Sequence, residues 1–345
     1  MRCSVRLLAA LYASLWSSFC AAATPPHHAQ PVIDRDFADP AVIKAKDGFY
    51  YVYATQSAGP SGTMRNLQVA RSRDLVHWTD LGDAMPAKPA WASRTQDFWA
   101  PHVLADQDRY FLYYSAKPDV ALADDKQGLC LGVATADRPQ GPFTDSGRPL
   151  QCGPGFENID PMAFDDPATG QRLLYWGSGF GPIKAQRLAR NRTVFEPGSK
   201  PIALLAPVKS DDPREYRRLV EGAWVIRRGG YYYLFASGDN CCGPKAHYGV
   251  FVARSRSATG PFTIRPRPRY LVVEGNRAWV APGHNSVIRD DHGTDWMLYH
   301  AVDARRPRSK PGDEINTRRV MLLSPLEWRG GWPRVRSGHP EPPAP

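Results

Sequence analysis

The sequence predicts an all-β chain folded as a five-bladed β-propeller, with four-stranded antiparallel blades around a central channel. Three observations carry that prediction. One phrase, a Gly or acidic turn followed by aromatics and a closing small residue or histidine, recurs at Asp47–Ser57, Gln107–Lys117, Gly170–Phe180, Gly229–Asp239 and Gly293–Asp303. Its starts lie 60, 63, 59 and 64 residues apart, a period that marks a repeated supersecondary unit. Sustained helical periodicity is absent from the body of the chain.

Each unit reads the same way in order. A short apolar run comes first: PAVIKAK, PHVLADQ, PMAFDDP, GAWVIRR and NSVIRDD. The aromatic phrase is the second strand, entered in several units through DG, GG or HG turns that suit tight hairpins. A third run alternates (LQVARSR, LGVATAD, IKAQRLA, YGVFVAR, RRVMLLS), and most units close on a weaker fourth, as in RDLVHWTD, RPQGPFTD, SATGPFTI and PLEWRGGW. Radial repetition of such a unit protects the sheet edges that a flat array would expose.

Composition fits one large domain, with 42% hydrophobic and 11% aromatic residues in 345. Arg2 and Arg6, an apolar stretch over Leu7–Cys20 and the small residues Ala21–Ala23 predict a cleaved signal peptide over 1–23, and hence a secreted or periplasmic protein. The apolar run is too short for a stable membrane span. A flexible segment over 24–31, the propeller over 32–337 and a Pro-rich tail over 338–345 complete the organisation. Losing Arg2 and Arg6 takes the net charge from +10 to +8, since no acidic residue leaves with them. Lys and Arg concentrate only at Arg305–Lys310, so the charge reads as a solvated surface and nucleic acid is not expected as a partner. The sequence does not fix an oligomeric state.

Four cysteines remain after cleavage. Cys130 and Cys152 fall within one unit and are the favoured pair, whereas adjacent Cys241 and Cys242 form either a vicinal disulfide or two buried thiols. No His or Cys spacing resembles a zinc site.

Aligning the units at the start of the first strand puts Asp39, Ala100, Asp160, Glu221 and His284 in one column, spaced 61, 60, 61 and 63 residues apart. First strands line a propeller's channel, so this column converges on the axis. Taken singly, Asp39 and Asp160 before proline read as strand caps, Glu221 as a solvated loop residue and His284 as a hydrogen-bonded core histidine. Taken together they are hard to explain as packing, because gathered like charges cost stability unless something uses them. A glycosidase needs such a group: one carboxyl donates a proton to the leaving oxygen and another activates water.

These residues bring the chain to a known family. ADPAVIKAKDGFYYVYAT, FWAPHV, NIDPMAF, YWGS, VEGAWVIRRGGYYYLFAS, GHNSVI and LSPLEWRGGWP, in that order and over about 32–335, resemble glycoside hydrolase family 43. These are propellers that remove arabinofuranosyl or xylosyl units from plant cell-wall oligo- and polysaccharides. The resemblance implies Asp39 as general base, Glu221 as general acid, and Asp160 as the carboxylate that holds the acid's pKa up. It implies His284 as an axial histidine beside a hydrated Ca2+ or similar ion, and inversion at the anomeric carbon. Many members carry Asp where this chain has His102, which removes any water or metal contact expected from that Asp. Trp99 and Trp176, near the channel mouth by register, are expected to stack on sugar, while Trp78, Trp328 and Trp332 are expected to pack. The SGDNCCGPKAHYGV stretch resembles arabinan-directed members more than xylosidases, favouring arabinose release over the β-xylosidase alternative. A propeller that binds sugar without cleaving it is the rival from another class, and all three carboxylates argue against it. The fructan-cleaving propellers share the architecture, but their nucleophile stands in an Asn-Asp-Pro-Asn-Gly stretch, where this chain has Ala38-Asp39-Pro40-Ala41-Val42.

Overall fold

The computed structural model describes residues 31–122, 127–177, 179–268, 270–309 and 317–336; the expected signal peptide and the tail lie outside these. Five antiparallel sheets form the five blades. The first is Ala41–Lys44, Tyr50–Ala54, Gln68–Ser72 and Trp78–Asp83, in that spatial order. The second runs Phe98–Asp106, Arg109–Ala116, Gln127–Ala136 and Thr144–Asp145, with Gln151–Pro154 also pairing on its third strand. The third comprises Met162–Asp165, Arg172–Trp176, Ile183–Arg187 and Ile202–Leu205. The fourth comprises Val220–Arg228, Tyr231–Asn240, His247–Ser255 and Thr263–Ile264, with Leu271–Val273 on its third strand. The fifth is Trp279–Arg289, Asp295–Asp303, Arg319–Arg329 and Trp332–Val335.

The aromatic phrase is explained by where it sits. A second strand has a neighbouring blade on each face, so it reads as a continuous apolar run. In Tyr50–Ala54, Tyr51 and Tyr53 pack with Leu112 and Tyr114 of the second blade, while Tyr50, Val52 and Ala54 pack with Leu298 and Leu323 of the fifth. The tyrosine hydroxyls find acceptors in the next blade: Tyr113 donates to Arg192 O at 3.0 Å, Tyr175 to Ala258 O at 2.7 Å and Tyr233 to Gly331 O at 2.7 Å. Trp78, Trp328 and Trp332 pack against these clusters as expected.

The N-terminal stretch closes the ring on the last blade. Ile33 bridges to Met321, and the N–H of Phe37 donates to Arg319 O at 2.8 Å. Cys130 is bonded to Cys152, and Cys241 to Cys242, which resolves the alternative left open for the adjacent pair.

Candidate active site

In each blade the residue two places before Ala41, His102, Met162, Trp224 or Ser286 adopts the left-handed conformation. These are Asp39 (φ 58°), Ala100 (43°), Asp160 (57°), Gly222 (63°) and His284 (46°). The strand register agrees, since Ala41, His102, Met162, Trp224 and Ser286 stand at equivalent places two residues on. This corrects the alignment of the fourth unit: Gly222 is the axial residue, and Glu221 precedes it. Glu221 pairs with Ser237 as Trp99 pairs with Ser115, each just before a bulge. Glu221 therefore shares the position of Trp99. Counting back four residues from the aliphatic end of AVI, HVL, MAF, WVI and SVI would have found this. Glycine relieves crowding at 222, where a Cβ would meet His284 Nδ1 at 3.3 Å in a conformation that side chains disfavour.

The small residue or histidine that closes each aromatic phrase now has a purpose. It accepts the axial N–H of the next blade: Ala100 N–H donates to Thr55 Oγ1 at 2.8 Å, Asp160 N–H to Ser115 Oγ at 3.2 Å, and His284 N–H to Ser237 Oγ at 2.8 Å. His300 Nδ1 accepts from Asp39 N–H at 3.1 Å and closes the circle. The same nitrogen lies 3.2 Å from Asp39 Oδ1, but it serves only one partner, and the N–H has no other acceptor among the described residues. In the third blade the phrase ends in Gly177, which has no side chain to accept. There the Gly222 N–H donates to Asp160 Oδ2 at 3.0 Å instead. One link of the ring thus passes through a carboxylate.

Above this ring lies a cleft of about 630 Å³ lined by Asp39, Asp160, Glu221 and His284, which the sequence singled out, and by Trp99. Trp99 stacks on Phe156 with ring centres 6.0 Å apart; Phe156 and Phe180, which line the same cleft, are 53% and 81% exposed. Trp176 is corrected. It is 2% exposed and packs against Phe195 and the second blade, because it lies on a second strand, where each face meets a neighbouring blade. His102 is buried beneath, its Nδ1 accepting from Ala163 N–H at 3.3 Å, and burial holds its pKa down at about 3.

The carboxyls differ in protonation. Burial pushes Asp39 up, but the Arg319 guanidinium, 3.5 Å from its Oδ1, pulls it well below the usual carboxylate range. Thr55 also donates to Asp39. Burial pushes Glu221 up to about 7, the Asp39 charge adding to this while a hydrogen bond from the Tyr248 hydroxyl at 2.7 Å opposes it. Burial, Glu221 and Asp39 likewise raise Asp160. Arg319, Tyr248, Thr55 and His300 were missed by sequence reasoning. The closing residue of each aromatic phrase was the available signal for Thr55 and His300, while Arg319 and Tyr248 lie on third strands and carry none.

His284 Nδ1 stands 3.5 Å from Asp39 Oδ1 and 3.8 Å from Asp160 Oδ2, and burial lowers its pKa, so it faces both carboxylates uncharged. Among the described residues no three His, Cys, Asp or Glu side chains gather closely enough to hold a metal directly.

Known proteins resemble this chain over most of its length. Residues 28–333 match the family described as Glycosyl hydrolases family 43. An extracellular exo-α-(1→5)-L-arabinofuranosidase of Cellvibrio japonicus is 29% identical, covering 87% of this chain and 86% of its own. A β-D-galactofuranosidase of Aspergillus niger is 30% identical, with 78% and 75% covered. The structure of Cellvibrio cellulosa α-L-arabinanase complexed with arabinohexaose superposes with a TM-score of 0.69 at 25% identity, covering 88% of this chain and 96% of that one.

Proposed function

We propose that this chain, which belongs to family 43 of the glycosyl hydrolases, is an exported inverting glycosidase that releases L-arabinofuranosyl units from arabinan or arabinan side chains of plant cell walls. The observation that carries the reading is the opposed protonation of Asp39 and Glu221 in one cleft. Near neutral pH Asp39 is an anion able to take a proton from water, and Glu221 holds a proton to give. Asp39 removes a proton as water attacks the anomeric carbon; Glu221 delivers its proton to the leaving oxygen as the glycosidic bond breaks. The Asp39 charge helps to keep Glu221 protonated, while Asp160, whose own pKa is raised by burial, accepts from the Gly222 N–H next to the acid. Water must fit between base and sugar, which requires carboxyls roughly 6.5 to 9.5 Å apart.

The extracellular arabinofuranosidase relative supports both arabinose and export. Trp99, stacked on Phe156 at the cleft wall, supports sugar binding. A Ca2+ ion belongs to the proposal only as a hydrated ion, because a single uncharged imidazole is a poor primary ligand for a cation that prefers oxygen. The buried Asn285 amide, Ser286 hydroxyl and His300 Nε2, which lack protein partners, suit such water, and no catalytic step passes through the ion.

Hydrolysis of nitrophenyl arabinofuranoside, nitrophenyl xyloside and debranched arabinan, with the first product followed by proton NMR, tests the reading. Arabinose of inverted configuration is expected. Retained configuration overturns the mechanism, and preference for the xyloside overturns the sugar.

A further inference from the structure

The hairpin that joins Tyr231–Asn240 to His247–Ser255 carries the Cys241–Cys242 disulfide at its tip, and both cysteines line the cleft that holds the three carboxyls. The tip is anchored from several sides. Asn240 Nδ2 donates to the carbonyl oxygens of Cys242 and Lys245, both at 3.0 Å, and Gly243 N–H donates to Thr317 Oγ1 at 2.8 Å. At its base the Asp239 carboxylate engages His247 Nδ1 at 2.6 Å and also Arg218. The same two strands carry Ser237, paired with Glu221, and Tyr248, whose hydroxyl donates to Glu221. The disulfide therefore stands at the end of the hairpin whose strands hold the proton donor, and it shares the donor's blade and cleft.

That position fixes what it meets. A general acid must touch the leaving oxygen, so the group beyond that oxygen lies on Glu221's side of the cleft. We infer that the Cys241–Cys242 disulfide is the contact surface for the leaving-group sugar, and so a determinant of which polymer is cleaved; this rests on the arabinofuranosidase reading above. Bonded sulfur is polarisable and weakly hydrated, suited to the C–H face of a furanose ring. A ring closed between neighbouring residues has few rotors left to freeze, so contact with it costs little ordering.

The test compares α-(1→5)-arabinotriose, whose leaving group is a sugar, with α-L-arabinofuranosyl fluoride, whose leaving group has no ring to seat. For Cys241→Ser/Cys242→Ser, kcat/KM on the trisaccharide is expected to fall about tenfold, chiefly through KM, while that on the fluoride falls by less than about threefold. Equal losses on both substrates, or none on either, overturn the inference. A wild type that cleaves neither substrate refutes the arabinofuranosidase reading itself. If the serine pair does not fold by circular dichroism, wild-type enzyme reduced with a phosphine and alkylated with iodoacetamide carries the same comparison. Cys130, buried at 0% exposure, shields the other bridge, and peptide mass mapping identifies the alkylated sites. Loss confined to the trisaccharide supports the contact surface, and equal loss sinks it.

Discussion

Asp39 and Glu221 line one cleft yet titrate in opposite directions. Burial acts on both the same way, raising the pKa. What separates them is company: Asp39 has a guanidinium at 3.5 Å, whereas Glu221 has a phenol at 2.7 Å and the charge of Asp39. Burial sets how strongly neighbours are felt, and the sign of the neighbour decides the outcome. Fivefold repetition supplies the common environment, and single substitutions on strands of the fourth and fifth blades break it.

The sharpest way to break the contrast is to remove its members. Asp39→Asn is expected to lower kcat/KM by about 10⁴-fold on every substrate, because water activation is needed whatever leaves. Azide should restore turnover as a glycosyl azide of inverted configuration, detectable by NMR. Glu221→Gln is expected to cost about 10² to 10⁴-fold on poor leaving groups and much less on an activated aryl glycoside. Equal losses on both would remove Glu221 from the acid role.

Smaller changes should move the two titrations separately. Arg319→Met removes the cation that holds Asp39 down, so the Asp39 pKa rises and the acidic limb of the kcat/KM profile moves upward. Activity at pH 5 should fall about tenfold, and less at pH 7. Tyr248→Phe removes the hydrogen bond that favours the Glu221 anion, so Glu221 holds its proton to higher pH. The alkaline limb, near 7 in the wild type, should move upward, with a stability loss of about 1 kcal/mol in urea unfolding. Chelation is expected to have the smallest effect: a partial loss restored by added calcium, and absent in His284→Ala. Full activity in chelated wild type and in His284→Ala would show that the histidine only packs the channel.

The sequence made the fold legible because the second strand is sandwiched between blades, and that burial writes an aromatic phrase every sixty or so residues. The axial carboxylates were legible because they repeat with the blades. Glu221 was found by type but placed one residue out of register, since the fourth unit was aligned on its charged residue and not on the end of WVI, which puts Gly222 on the axis. Trp176 was misread for a different reason: it lies on a second strand, whose side chains are buried between blades on either face, so nearness to the cleft along the chain does not expose it. Arg319 and Tyr248 were illegible because their effect comes from third strands that reach the axis only through tertiary packing.

The link from His300 to Asp39 joins the two ends of the polypeptide. The proposed base stands in the first blade, yet His284, His300 and Arg319, which tune or hold it, all come from the fifth. A chain emerging from synthesis therefore carries the proposed base, with Thr55 beside it, from the outset but lacks the guanidinium that sets its charge. Hydrolytic competence arrives only with the last blade, so catalysis itself reports that the molecule has been completed and its circle joined.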